Sequence, residues 1–495
     1  MILFERHFFN FFAFLAAIII PIIAIITGLH YVLLILPLLF FSKYLLNIQG
    51  LFVLAIVCAA IGIKSPIGRF MIHELIFIFA FLILLMQLAM HKVDRAFSNG
   101  KLDSLVILFL VNLLVIIFFR GIGMAIFGDE KVGGGTYIQW IVTLGIMFFS
   151  KYINLDYKTT MFLVIGFSVL PVVNPILEWL TIKTGGSIYF FTQYFKINYA
   201  QLYQTIVENN LETYRTGSSQ IASLFQILGI FLLSRKQNLF GFTICFGLGF
   251  AAILFSGFRS FLVAYIAVTM ITACYVYKNR ALLISLSALV ALISFFIIVL
   301  FIESLPFAVQ RALSFIPGLN IGTIAMQNAT DTTIWRIEIW RLALSDFWNY
   351  ALIGRGLAWD TSGWTNLFYS DWYASPTFFY ANHNYHSGIV TLFIDYGLPG
   401  TVIWLSFQFL CIKQLFKSFY LALKNSSKSI ICTFYVYSFI MICWDVFHFW
   451  VIYGQTATML RFIIYVSMTK MIQSYIDKNY LDNENSLSNH KKFIR

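Results

Sequence analysis

The sequence predicts an all-α, polytopic membrane bundle of about 12–14 helices carrying one large, partly helical outer loop. Three observations predict it. First, the 495 residues are 60% hydrophobic and only 11% charged, with a mean hydropathy of +0.83, whereas soluble domains carry about 25% charged residues. Second, apolar runs of about 17–25 residues, the length that crosses a bilayer as a helix, recur from end to end. The alternating segments of about ten residues that build a membrane β-barrel do not occur. Third, one polar stretch, 303–386, interrupts this pattern and ends in His383-Asn384-Tyr385-His386, directly before another apolar run.

Taken in order, the apolar runs fall at roughly 8–28, 30–46, 50–63, 70–90, 103–119, 137–152, 159–180, 219–234, 239–255, 259–277, 281–302, 387–412, 430–449 and 452–470. The first has no small-residue cleavage site after it and reads as a retained helix, not a signal peptide. With the N-terminus inside, 20 of the 33 Lys and Arg residues fall in the shorter, inner set of loops, which the positive-inside rule requires. The long connections 120–136, 181–218 and 303–386 then lie outside, as does the turn Ser256-Gly257-Phe258-Arg259. Residues 1–476 read as one transmembrane domain, and 477–495 as a polar cytoplasmic tail.

Composition excludes several functions. The net charge of +12 is scattered singly and forms no contiguous basic face for nucleic acid. The six cysteines all lie in apolar runs without CxxC or metal spacing. There is no Walker loop, dinucleotide fingerprint, HExxH or GxSxG.

The candidate chemistry gathers on the outer side, and each candidate has a structural alternative. Arg259 opens a span at its outer end, against both the helix dipole and the positive-inside bias. It reads as an anion ligand or as an arginine snorkelling to the interface. Arg215, in Tyr214-Arg215-Thr216-Gly217-Ser218, stands before a helix start, where an arginine and helix N–H groups together make an anion site. The alternative is a solvated loop arginine. Arg336 and Arg341 lie in an amphipathic helix expected to be capped by Asp331 or a neighbouring Thr. Arg336, oriented by Glu338 or Asp346, suits phosphate, while for Arg341 a surface ion pair is favoured.

His383 suits a general base near the membrane surface, because imidazole exchanges protons at physiological pH. Asn384 would fix its tautomer or bind a sugar. His386 competes for the same role and would share a helical face with His383 if the following helix starts early. No further ligands accompany the two histidines, so a metal site is not expected. Asp395 and Arg461 are ionisable residues inside spans and are expected to pair with each other as scaffolding.

These motifs resemble the bacterial O-antigen polymerase and O-antigen ligase superfamily. The resemblance rests on Arg215-Thr216-Gly217, Ser256-Gly257-Phe258-Arg259, the Arg336-to-Trp340 helix start, Gly354-Arg355-Gly356, His383-Asn384, and Asp395-Tyr396-Gly397-Leu398-Pro399-Gly400. It covers roughly 210–405, and the chain departs from the pattern in having Asp395 where Glu is frequent and in having an extra His386. The resemblance implies a donor glycan on undecaprenyl diphosphate and catalysis on the periplasmic face of the inner membrane without cofactor, metal or nucleotide. In this reading outer arginines hold the diphosphate and a histidine activates the acceptor hydroxyl.

The expected activity is polymerisation of lipid-linked repeat units, with Arg215, Arg259 and Arg336 on diphosphate and His383 as base. The expected partners are the lipid-linked donor, a glycan acceptor, membrane lipid and a chain-length regulator protein. Two alternatives remain: a ligase moving the finished glycan to lipid A-core or protein, and a transporter or flippase of a lipid-linked anion. The transporter would carry polar residues deep in several spans, whereas here the charges gather at one face.

Overall fold

The computed structural model describes residues 48–64, 71–89, 100–122, 134–150, 153, 169–195, 218–236, 238–357, 375–424, 446, 450, 456, 458–467 and 469–471. The expected spans 8–28 and 30–46, residues 159–168 of the expected span 159–180, most of 430–449, Arg215, and the tail 477–495 lie outside the described residues.

Among the described residues every named element is helical. The chain runs through α1 (Ile48–Ile61), α2 (Ile72–Ala89), α3 (Lys101–Arg120), α4 (Gly134–Phe149), α5 (Val173–Lys183), α6 (Tyr189–Thr192), α7 (Ser219–Lys236) and α8 (Leu239–Phe255). It continues through α9 (Arg259–Val276), α10 (Arg280–Phe301), α11 (Phe307–Leu313), α12 (Thr323–Ser345), α13 (Phe347–Tyr350), α14 (Pro376–Ala381), α15 (Gly388–Asp395) and α16 (Gly397–Lys424). Among the described residues three helices are long and apolar enough to cross a membrane: α3, α9, and α10 with its short extension to Ser304. α1, α2, α4, α7 and α8 carry shorter apolar helical stretches. Most of α10 is exposed, as suits a helix whose outward side chains are solvated by lipid rather than water.

The main core is aromatic. Phe109 of α3 lies 5.0 Å from Trp140 of α4 and 5.6 Å from Trp404 of α16, and Trp404 lies 5.9 Å from Phe462. Large rings at offset and edge-on angles bury the most apolar area per residue, and these four side chains are almost wholly buried.

Two elements differ from the sequence reading, and both bear on the site. The amphipathic helix does not begin at Asp331. It begins at Thr323, after Gly322, and exposed Asp331 lies in its interior. No Gly or Pro interrupts 323–331, and the threonines that looked like caps instead return their hydroxyls to the preceding turn. Thr330, Thr332 and Thr333 donate to the carbonyls of Met326, Asn328 and Ala329 at 3.0, 2.6 and 2.9 Å, a bond that lets Thr sit mid-helix.

The expected single span over 387–412 is two helices. α15 stops at Asp395 and α16 restarts at Gly397, whose φ of 68° only glycine adopts readily. Residues 351–357 clamp the break: Arg355 N–H donates to Ile394 O (2.6 Å), Gly356 N–H to Asp395 O (3.0 Å) and Leu398 N–H to Ala351 O (2.7 Å). A Cβ on Gly354 would lie 2.5 Å from the Asp395 carbonyl, so the clamp needs glycine there. Tyr396 fixes the break to the core: its hydroxyl accepts from Trp140 Nε1 (3.1 Å), and its carbonyl accepts from Asn112 Nδ2 (3.3 Å).

Candidate functional site

The site grows from the end of α14. That short helix starts with Ser375, whose hydroxyl caps Phe378 N–H, and with Pro376 in its first turn. It closes with Asn384 N–H donating to Phe379 O (2.8 Å) and His383 N–H donating to Tyr380 O (3.1 Å). This pair of bonds is a Schellman closure with His383 at the left-handed position that glycine normally fills. The φ of His383 is 55°, and His386 repeats the conformation at 51°. A non-glycine residue there costs on the order of 1–2 kcal/mol, and such strain concentrates at functional positions.

The strain aims His383 at Asp395. His383 Nδ1 lies 2.7 Å from Asp395 Oδ1, and both residues are buried. A carboxylate only accepts, so Nδ1 carries a proton, and in the uncharged tautomer the lone pair lies on Nε2. The same Asp395 oxygen accepts from the Tyr385 hydroxyl at 2.8 Å. Tyr385 Oη in turn accepts from Arg355 Nη1 at 3.2 Å. Arg355 also donates to Tyr380 O (2.8 Å) and lies 4.4 Å over the Tyr380 ring.

Burial, reinforced by the Asp395 charge, pushes the Tyr385 hydroxyl well above its ordinary value, so it stays a proton donor. Burial alone would weaken the Arg355 cation, but the facing Tyr385, Tyr380 and Asp395 more than offset it and leave its pKa raised. Burial and the bond to Asp346 raise Tyr380 too.

α12 supports this loop and joins it to the arginines. Ala329, Thr333, Arg336 and Trp340 follow one another at i, i+4, i+7 and i+11, which places them along one helix face. At one end of that stripe Arg259 Nη2 donates to Ala329 O (2.9 Å) and Thr333 Oγ1 (3.2 Å). At the other end Trp340 Nε1 donates to Tyr385 O at 2.7 Å. The seven residues from Thr333 to Trp340 rise about 10 Å, with Arg336 between them. Arg311 of α11 joins the arginine end, donating to Gly257 O (3.1 Å) and Thr332 Oγ1 (3.3 Å).

Arg259 thus contacts α12, the helix that carries Arg336, and the loop that carries His383 is joined to α12 through Trp340 and Tyr385. Arg259 is tied to α12 through neutral acceptors and does not merely snorkel. Three expectations need correction. Asp395 does not pair with Arg461: it lies at the helix break, bonded to His383 and Tyr385, while Arg461 is exposed on its helix. His383 and His386 do not share a helical face, because α15 begins only at Gly388, after the Ser387 cap. Asp346 does not orient Arg336 but accepts from the Tyr380 hydroxyl. Glu338 is exposed.

His386 packs edge-on to Trp335 (5.1 Å) and tilted to Phe379 (5.9 Å). Asn384 is buried, and its backbone N–H completes the Schellman closure. Arg341 is exposed on α12. Among the described residues no three His, Cys, Asp or Glu side chains gather as metal ligands do. The sequence reading missed Arg355, Tyr385 and Arg311 as participants. Gly354 and Gly356 around Arg355 were the available signal for the first. Tyr385 and Arg311 gave none, since only the fold brings them to Asp395 and to α12.

Residues 244–405 match the O-antigen ligase family. The match supports the O-antigen polymerase and ligase superfamily that the motifs resemble. The matched segment starts inside α8 and ends inside α16, so it contains the Gly257 turn, the α12 stripe, the His383 closure and the helix break. Arg215 and Arg461 lie outside it. No curated protein matches the chain.

Proposed function

We propose that the chain is a membrane glycosyltransferase that polymerises glycan repeat units carried on undecaprenyl diphosphate at the periplasmic face of the inner membrane. The observation that carries this reading is the buried His383–Asp395 pair, with His383 in left-handed backbone and its loop tied through Tyr385 to α12, the helix that Arg259 also contacts. His383 Nε2 takes the proton from an acceptor sugar hydroxyl as its oxygen bonds to the donor's anomeric carbon. The bond from that carbon to the diphosphate breaks, and the diphosphate leaves with the electron pair. Arg259 and Arg336 meet the charge that develops on it. Arginines match phosphate oxygens with two parallel bonds, and cations placed in advance avoid reorganisation during the reaction. A base acting on the hydroxyl contributes about 10²–10⁴-fold. Arg215 belongs to the same proposal as a further diphosphate ligand.

The family description itself favours a second reading, a ligase that moves the finished glycan to lipid A-core or protein. The two differ in what a deletion leaves behind on a gel of surface polysaccharide. Core plus one repeat unit, restored to a ladder by the wild-type gene but not by His383→Ala or Arg259→Ala, supports the polymerase. Bare core with polymer retained on the lipid carrier supports the ligase. A full ladder from both variants rejects the site.

A further inference from the structure

We infer that Tyr385 and Arg355 are positioning residues that set the proton of the His383–Asp395 pair, a role that rests on the transferase reading above. The bonds form one directed chain: Arg355 Nη1 to Tyr385 Oη at 3.2 Å, Tyr385 Oη to Asp395 Oδ1 at 2.8 Å, and His383 Nδ1 to that same oxygen at 2.7 Å. Chemistry fixes the direction. A guanidinium only donates, so the Tyr385 oxygen accepts from it and turns its single proton to Asp395. Asp395 Oδ1 then faces two donors and accepts from both. His383 keeps its proton on Nδ1, and its lone pair stays on Nε2, the atom that faces the acceptor hydroxyl in the proposed reaction.

The competing explanation is that the cluster merely fills space. Its composition argues against that. Tyr385 and Asp395 are 0% exposed and Arg355 is 7% exposed. Apolar side chains of equal volume fill such a site without the desolvation cost of two charges. The guanidinium is also pinned: its contacts with the Tyr380 carbonyl and ring stop it from swinging toward solvent. The clamp at Arg355 N–H and Gly356 N–H fixes its backbone to the residues that carry Asp395. Cation, hydroxyl and carboxylate are thus registered by main chain and side chain together. Hydrogen-bonded networks of this kind hold one geometry because every member constrains the next.

The test uses the full chain in proteoliposomes and, as donor, the lipid-linked glycan purified from cells deleted for this chain. Tyr385→Phe removes one hydroxyl and keeps the ring. It is expected to lower kcat about 10- to 100-fold, with KM and the thermal unfolding midpoint unchanged. In an Asp395→Asn background the same substitution is expected to have no further effect, because residues acting through one group are not additive. Arg355→Met should match Tyr385→Phe, and Arg355→Lys should recover part of the loss.

A wild-type kcat for Tyr385→Phe would overturn the proposal. So would an equal fold-loss in the Asp395→Asn background, or a fall in kcat that tracks loss of folded protein. If His383→Ala and Asp395→Asn both transfer at the wild-type rate, the transferase assignment of the site fails instead. If they are inactive while Tyr385→Phe is normal, the positioning role alone fails.

Discussion

His383 and His386 stand three residues apart, share left-handed backbone and are almost equally buried, at 7% and 8% exposed. Their surroundings separate them. His383 faces a carboxylate that is itself held by a tyrosine and an arginine. His386 faces the rings of Trp335 and Phe379. The difference teaches that a histidine's role is set by what holds its second nitrogen, not by its neighbourhood in sequence. At His383 an anion fixes the tautomer, which is the arrangement that makes an imidazole a directed base.

The comparison can be broken most severely at Asp395. Asp395→Asn keeps the shape but can donate to Nδ1 and reverse the tautomer. Where a buried aspartate holds a catalytic histidine, that change lowers kcat by about 10⁴-fold. A loss of at least about 10³-fold in the proteoliposome transfer assay, with normal folded protein, is expected here, and a loss under tenfold would contradict the pairing. The arginine end should respond less. Arg259→Gln and Arg336→Gln are each expected to cost about 1.5–3 kcal/mol of transition-state binding, the worth of a charge-assisted bond. Exposed Arg341→Gln should stay near wild type, and equal losses in all three would deny any special role to the α12 stripe.

The smallest effect concerns strain. His383→Ala and His383→Gly both remove the ring, but only glycine is at ease at φ 55°. Thermal unfolding in detergent should find the glycine variant more stable than the alanine variant by about 1 kcal/mol, with both inactive. Equal midpoints would mean that the backbone at 383 is unstrained.

Much of the fold was legible because hydropathy reports burial in lipid directly: the runs near 103–119, 259–277 and 281–302 are α3, α9 and α10. The break at Tyr396-Gly397 was not, because Leu398 and Ile394 are as apolar as any span residue and the interruption lies in backbone angles. Gly397-Leu398-Pro399-Gly400 was its only trace. That one miss displaced Asp395 from its histidine and paired it on paper with Arg461. The start of α12 was hidden for a related reason: threonines that read as caps bond to their own helix. His383, Arg259 and Arg336 were legible because an arginine at an outer helix start and a histidine at a loop end are unusual placements. Arg355 and Tyr385 were not, since their roles depend on a bond between residues 30 positions apart, Arg355 to Tyr385, and on one between residues 10 positions apart, Tyr385 to Asp395.

The most direct test of the central claim compares His383→Ala with His386→Ala, both as full chains in proteoliposomes supplied with the lipid-linked glycan. His383→Ala is expected to lose about 10²–10⁴-fold in kcat, while His386→Ala is expected to transfer within a few-fold of wild type once matched for folded protein. The reverse order, or equal loss in both at equal folded protein, would contradict the assignment of His383 as the base.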